Sequence, residues 1–261
     1  MIQNYKKALY AVAVASLLML TGCQLTRDAG KSNYRITKVE GKMINIDSRW
    51  DAHPDSNAVA LLKPYKEEVD KMYDVIGVSV EKMDKGRPEG LLSNLVADVI
   101  RQAAEKVQSK PADMGLINTG GLRNILPAGN ITEATIFEIL PFENSLCVLT
   151  MKGIHMKNLL ASIASLNGEA VSGVRMEITK NGKLLSCSIG GQPIDENKLY
   201  TVATIDYLAD GNGSMDAFLQ AEKRECPDGA TLRDLFIEYV KKQTAAGKKI
   251  TSALDGRITV K

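Results

Sequence analysis

The sequence predicts an α+β domain, and three observations carry that expectation. Segments with strand-like and helix-like patterning are both present, but they do not alternate strictly as β-α-β. An Asn181-Gly182 pair sits between two apolar-alternating runs, the mark of a hairpin and so of antiparallel pairing. No internal repeat and no linker-like stretch interrupts residues 34–261, so these segments are read as one domain.

The elements follow in order. Y-R-I-T-K-V-E-G-K-M-I-N-I alternates as a strand pair turned at Gly41. Val59, Leu62, Val69 and Met72 have helical spacing, with Pro64 expected to delay the helix start or kink it. V-I-G-V-S-V-E-K-M reads as a strand. Leu91, Leu95, Val99, Ala103 and Val107 recur every four residues, with Leu92, Val96, Ile100 and Ala104 beside them, so residues 91–108 are expected to form one well-buried helix. M-G-L-I is a short buried strand. Thr132 caps a short helix in T-E-A-T-I-F-E-I. L-C-V-L-T-M is a strand, and I-H-M-K-N-L-L-A-S-I-A a helix ending near Asn167-Gly168. The hairpin over G-V-R-M-E-I-T-K-N-G-K-L-L-S-C-S-I is expected to turn through a type I′ Asn181-Gly182. L-Y-T-V-A-T-I is a strand. Thr231 or Asp228 caps a last helix that presents Leu232, Leu235, Phe236 and Tyr239, and G-R-I-T-V-K closes as a strand.

The N-terminus is set apart from this fold. Lys6 and Lys7 precede an apolar stretch, Ala8 to Leu20, that is too short for a membrane span of roughly 20 residues. It reads as the core of a signal peptide. Leu20-Thr21-Gly22-Cys23 resembles a lipobox, so residues 1–22 are expected to be a lipoprotein signal peptide. Cys23 is then the lipidated residue, and 23–33 a polar tether to the domain at 34–261. By resemblance to sorting patterns, Gln24 after Cys23 points to the cell envelope and the outer membrane. Loss of residues 1–22 removes two lysines and no acid, so the formal charge of +2 falls to zero. That excludes bulk attraction to nucleic acid. Cys147, Cys187 and Cys226 are far apart and lack histidine companions, which argues against zinc. One disulfide with a free thiol, or three buried thiols, both fit.

The chain holds two histidines, His53 and His155, in unrelated settings. A two-metal phosphoesterase needs more ligands than that. The Asp51-Ala52-His53 echo of a metal motif has no partner histidines. Nucleophile-elbow, zinc-protease, phosphate-loop and dinucleotide fingerprints are also missing. Binding features are better represented. Asn118-Thr119-Gly120-Gly121-Leu122-Arg123 follows a strand. Its glycines allow close approach and unusual dihedrals, and its arginine offers a fork of donors suited to phosphate. On spacing alone, a plain Gly-Gly turn with a solvent-facing arginine is the better reading. Phe142, in Leu140-Pro141-Phe142-Glu143-Asn144, and Tyr207, before Leu208-Ala209-Asp210-Gly211, stand at strand–loop junctions from which two rings can stack a flat base.

Four segments together resemble the C-terminal domain of the 5′-nucleotidase family. They are G-R-P-E-G-L-L-S-N-L-V-A-D-V-I, N-T-G-G-L-R, L-P-F-E-N-S-L followed by V-L-T-M-K-G, and Y-L-A-D-G-N-G-S-M, in the family order. The resemblance implies a layered α-β-β-α domain that binds a nucleotide for a metallophosphatase domain carrying divalent metals. Here that second domain is expected on a separate partner chain, and this chain is expected to bind no cofactor and to hold no catalytic residue. It implies that Arg123 binds the phosphate or the ligand near it, that Arg87 lies close to the family's other ligand-binding arginine, that Asn118 meets base and ribose, and that Phe142 and Tyr207 sandwich the base. Gly120, Gly121 and Asn144 belong to the same motifs. The family's ribose-gripping aspartate falls at Gly213, with Asp210 and Asp216 as neighbouring acids. The alternative reading is a non-catalytic envelope lipoprotein that binds another ligand or acts as a scaffold.

Overall fold

A computed structural model describes residues 37–261. The expected signal peptide, Cys23 and the tether lie outside the described residues. The chain divides into two compact units, Met1–Val59 and Ala60–Lys261.

In the first unit the expected strand pair around Gly41 is not formed over 37–46. Val39, Met43, Ile44 and Ile46 alternate, but all are exposed. A lone hairpin without a face to bury is marginal in water, so the alternation is not enough. Helix α1, Ser56–Lys71, starts early rather than late and runs through Pro64. Asp55 supplies the start: its side chain accepts from Asn57 N (2.8 Å) and its main-chain carbonyl from Val59 N (2.9 Å). No residue of α1 is buried, so the rung lost at Pro64 disturbs no packing.

The second unit is the α+β domain. Its strands are β1 Val75–Ser79, β2 Met114–Ile117, β3 Gly129–Thr132, β4 Leu146–Lys152, β5 Ala170–Ser172, β6 Val174–Ile178, β7 Leu184–Ile189, β8 Gln192–Pro193, β9 Leu199–Ile205, β10 Lys223–Glu225 and β11 Ile258–Val260. Its helices are α2 Leu91–Ala103, α3 Glu105–Gln108, α4 Glu133–Ile139, α5 Gly153–Ser165, α6 Asp206–Ala209 and α7 Leu232–Ala245. A five-stranded sheet runs β10-β4-β9-β2-β5, a four-stranded sheet β11-β6-β7-β8, and β1 pairs with β3. Within the large sheet only β2 and β9 are parallel. All four residues of β2 are buried, so both faces of the sheet are covered. Helix α2 packs on β2, β5 and β9, and α7 packs on α2 and β1. Helix α5 touches β4 and β9 as well as β7 of the smaller sheet.

The expected helix over 91–108 breaks at Ala104. The carbonyl of Arg101, which a continuous helix would offer to residue 105, accepts instead from Ala112 N at 3.1 Å. The hairpin turn also differs from type I′, because Gly182 has φ +74° but Asn181 keeps a negative φ. Gly182 N donates to Thr179 O, and Thr179 N to Lys183 O, both at 2.9 Å. This is a three-residue loop that ends in a left-handed glycine, and the register shifts after Glu177. Of the two candidate caps for the last helix, Thr231 acts, accepting from Asp234 N at 3.1 Å. Cys147 and Cys226 form a disulfide and Cys187 is a free, half-buried thiol, so the first cysteine arrangement holds.

Gly115 shows how tightly α2 sits on the sheet. A Cβ there would lie 2.5 Å from Ala97 O and 2.8 Å from Arg101 Cβ. Gly115→Ala is therefore expected to cost about 1–3 kcal/mol in urea denaturation, the usual penalty for overpacking. An unchanged midpoint would contradict this packing.

Candidate functional site

The register of the large sheet sets where the site lies. Strands β2 and β9 are parallel, so their C-terminal ends share one edge. Strand β4 is antiparallel to β9, with Leu146 opposite Ile205, and β5 is antiparallel to β2, with Ala170 opposite Ile117. The starts of β4 and β5 therefore meet the ends of β9 and β2. Asn118 follows β2, Asn144 and Phe142 precede β4, Tyr207 follows β9, and Glu169 precedes β5. The first turn of α7 joins the same edge: Leu232 N donates to Asn144 O, and Leu146 N to Ala230 O, each at 2.8 Å.

Asn118 leaves β2 with extended backbone and opens a 3-10 turn over Thr119–Gly121. Gly121 N donates to Asn118 O at 3.0 Å. Neither Gly120 nor Gly121 has a positive φ, which corrects the expectation of unusual dihedrals. Gly121 is used for space, since a Cβ there would stand 3.3 Å from Asn118 Oδ1, whereas a Cβ on Gly120 would make ordinary contact at 3.7 Å from Nδ2. Asn118, Gly121, Phe142 and Asn144 line one crevice with Ile117, Leu140, Ile205 and Leu232. Asn118 Oδ1 is buried there with no hydrogen-bond donor. Such an unpaired acceptor costs roughly 1–3 kcal/mol, which an incoming N–H or O–H would offset.

Arg123, Gly120, Tyr207 and Arg87 are not part of the crevice lining. Arg123 is tied at its backbone by Arg123 N to Ile139 O (2.9 Å), and its exposed guanidinium stands 5.9 Å from the Phe142 ring centre. One of its nitrogens donates to Gly120 O at 3.3 Å. Phe142 is 47 % exposed and Tyr207 44 %. Among the described residues the stacked aromatic pair is Phe236 with Tyr239, so the Phe142 and Tyr207 rings do not stack on each other. Tyr207 sits in α6, whose start is fixed by Asp206 N donating to Ser145 O at 2.9 Å. Arg87 is partly committed to the protein. Its Nε donates to Gly168 O at 2.7 Å, and Nη2 pairs with Glu169. Asp210 pairs with Arg224 at 2.6 Å, and Gly213, at φ +67°, packs beside Leu208 and Tyr207.

Four supporting residues are absent from the sequence reading. Glu169, only 4 % exposed, accepts from Thr119 N at 2.5 Å and from Arg87, so one carboxylate fixes both the Asn118 turn and an arginine. Buried Arg233 stacks 4.0 Å from the Phe137 ring centre, pairs with Glu143 and reaches Leu140 O at 3.4 Å, which braces the Phe142 loop. Lys85 Nζ donates to Leu122 O at 2.5 Å. Arg224 holds the loop after α6 through Asp210. Lys85 meets a partner 37 residues away and Glu169 partners 50 and 82 residues away, separations that local patterning does not register. The one available signal was a charged Glu169 directly after the helix-ending Asn167-Gly168.

The described residues contain no group of three or more His, Cys, Asp or Glu placed to hold a metal ion. The strand-end edge gathers an unpaired amide oxygen, a small crevice, two half-exposed rings and an exposed guanidinium.

Comparisons with known proteins bear on this geometry. The family model described as 5′-nucleotidase, C-terminal domain matches residues 70–220. Protein UshA of Yersinia enterocolitica is 28 % identical over 185 residues, covering 68 % of this chain and 33 % of that protein. Endonuclease YhcR of Bacillus subtilis is 27 % identical over 237 residues, covering 87 % of this chain and 19 % of that protein. The chain thus spans about a third or less of the length of these relatives. In fold it is similar to the 5′-nucleotidase precursor of Thermus thermophilus, with TM-score 0.66 and 24 % identity over 78 % of this chain and 42 % of that one. It is also similar to the NAD nucleotidase NadN of Haemophilus influenzae, with TM-score 0.60 and 22 % identity over 79 % and 41 %.

Glu169→Ala is expected to lower the unfolding free energy by about 2 kcal/mol. That is below the ~3–5 kcal/mol of a fully buried broken pair, because Arg87 is 44 % exposed and stays partly solvated. Glu169→Gln, which keeps an acceptor, is expected to lose less. Equal stability of Glu169→Ala and the parent in urea would contradict the bracing role.

Proposed function

The chain belongs to the 5′-nucleotidase C-terminal domain family, and from that premise we propose that it is the nucleotide-binding half of a 5′-nucleotidase. It binds a nucleoside phosphate and offers it to a metallophosphatase domain on a separate chain. The observation that carries this reading is the buried, donorless Asn118 Oδ1 at a crevice that also takes in Phe142. A nucleoside supplies both what that oxygen lacks, an N–H or O–H, and a flat base for the half-exposed rings.

In this reading Phe142 and Tyr207 take the two faces of the base, contributing about 1–3 kcal/mol per stacked ring by analogy with single-strand binders. Asn118 accepts from the base or ribose. Gly120 and Gly121 leave room for the ligand to approach the backbone, and Asn144 closes the crevice floor. Arg123 donates charge-assisted bonds to the phosphate. Arg87, held in an ion pair with Glu169, offers the guanidinium donors that the pair leaves unused. Divalent ions on the partner domain would supply the activated water and neutralise phosphoryl charge. The residues of this chain bind and orient. In the same proposal Cys23 carries a lipid anchor that holds the protein at the outer membrane of the cell envelope.

A second reading is a non-catalytic envelope lipoprotein that binds another ligand or acts as a scaffold. Gly213 favours it, since no side chain stands at the expected ribose-gripping position and the neighbouring Asp210 is engaged by Arg224.

Calorimetric titration of the full chain with AMP separates the two. Saturable binding is expected, and Arg123→Ala should weaken it by about 1.5–3 kcal/mol, the loss of a charged hydrogen bond, without changing the melting temperature. The pure chain with divalent metal should not hydrolyse AMP. Absence of heat at millimolar AMP would remove the nucleotide claim, and turnover by the chain alone would overturn the division of labour.

A further inference from the structure

Away from the strand-end site, a cavity of about 440 Å³ opens between α2, the β5–β6 turn, the β7–β8 turn and the segment entering β11. It shares no lining residue with the Asn118 crevice. Three arginines border it, Arg101, Arg175 and Arg257, with two acids, Asp98 and Asp255.

Both acids are engaged by Arg257. This arginine is 8 % exposed and reaches Asp98 through Nη1 and Nη2 at 2.9 and 3.2 Å. It reaches Asp255 through Nε and Nη2 at 3.1 and 3.2 Å. Main-chain carbonyls of Val171 (2.8 Å) and Asn94 (3.3 Å) complete its shell. Burial works to neutralise both partners. The hydrogen bonds between them win, so Arg257 is held above its ordinary pKa and the Asp255 carboxyl below its own. The network fastens two half-exposed aspartates to one buried arginine.

Arg101 and Arg175 are anchored differently. Arg101 Nε donates to Ala112 O at 2.9 Å, and the guanidinium lies against Gly173, where a Cβ would stand 2.7 Å from Nε. Its two terminal nitrogens have no hydrogen-bond partner among the described residues. Arg175 Nη1 bonds the main-chain oxygen of Asp255 and, at 3.2 Å, its Oδ1, which leaves Nη2 free among the described residues. Each fork is held at one nitrogen and presents others at the cavity. Three arginines against two aspartates leave one net positive charge. The wall at Gly190 and Gly191 is bare backbone in left-handed conformation (φ +58° and +77°), with nothing within 4 Å of either Cβ position.

We infer that this cavity binds a phosphate-type oxyanion, held between the forks of Arg101 and Arg175. The planar guanidinium matches the oxygen spacing of a tetrahedral oxyanion, and two pre-anchored forks lose little freedom on binding it. This site does not depend on the nucleotide reading.

The test is a titration of the full chain with inorganic phosphate, followed by calorimetry and by the NMR signals of the arginine Nε–Hε groups. Saturable binding is expected, with the Arg101 and Arg175 signals shifting. Arg175→Gln, a change at an exposed side chain, should weaken binding by about tenfold or more, and Arg101→Gln should do the same. Thermal melting of each variant reports that it folds. Arg123→Ala should leave the Arg101 and Arg175 shifts in place. Two results overturn the inference: no saturating shift of the Arg101 and Arg175 signals at millimolar phosphate, or calorimetric phosphate binding to the Arg123→Ala chain that survives both glutamine changes.

Discussion

The site depends on the pairing of β9 with β2 on one side and β4 on the other. Because β2 and β9 run parallel while β4 and β5 run against them, two strand ends and two strand starts converge on one edge. Asn118, Phe142 with Asn144, Glu169 and Tyr207 are brought together by that register alone, although 89 residues of chain separate Asn118 from Tyr207. A one-residue slip would turn each side chain to the opposite face. Both faces of β2 are buried, so such a slip is costly because it would push a large side chain into the space against α2 that only Gly115 fits.

Around this edge the protein uses charge to hold loops rather than to do chemistry. Glu169 ties Arg87 to the Thr119 amide. Arg233 lies flat on Phe137 and clamps Glu143. Arg224 spans from Asp210 to the sulfur of Cys226, and so joins the loop after α6 to the disulfide that pins the end of β10 onto β4. Each of these braces is a long side chain crossing between elements distant in sequence. The same device recurs at Arg257, which fastens the C-terminal strand to α2 through Asp98. There, however, it leaves two neighbouring arginines with unused donors.

Much of the domain can be read from local pattern. The apolar stripe of α2, the buried run of β2, the Thr132 cap and the Asn118–Arg123 turn each follow from residues within a few positions of one another. What escaped was decided at a distance. The helix over 91–108 breaks because Ala112 returns to take the Arg101 carbonyl. The alternation around Gly41 makes no strand because nothing covers its apolar side. Gly121 is needed for the room it leaves beside Asn118, and neither Gly120 nor Gly121 has a left-handed backbone. Glu169 and Arg233 carry no motif, and only the folded sheet shows what they hold.

The central claim is that the strand-end crevice receives a nucleoside with its base between two rings and its phosphate at an arginine. A crystal structure of the full chain with AMP tests this most directly. The account expects the adenine between Phe142 and Tyr207, a hydrogen bond to Asn118 Oδ1, and the phosphate within reach of Arg123. Adenine bound elsewhere, with Asn118 Oδ1 still unpaired and both rings open to solvent, would contradict it.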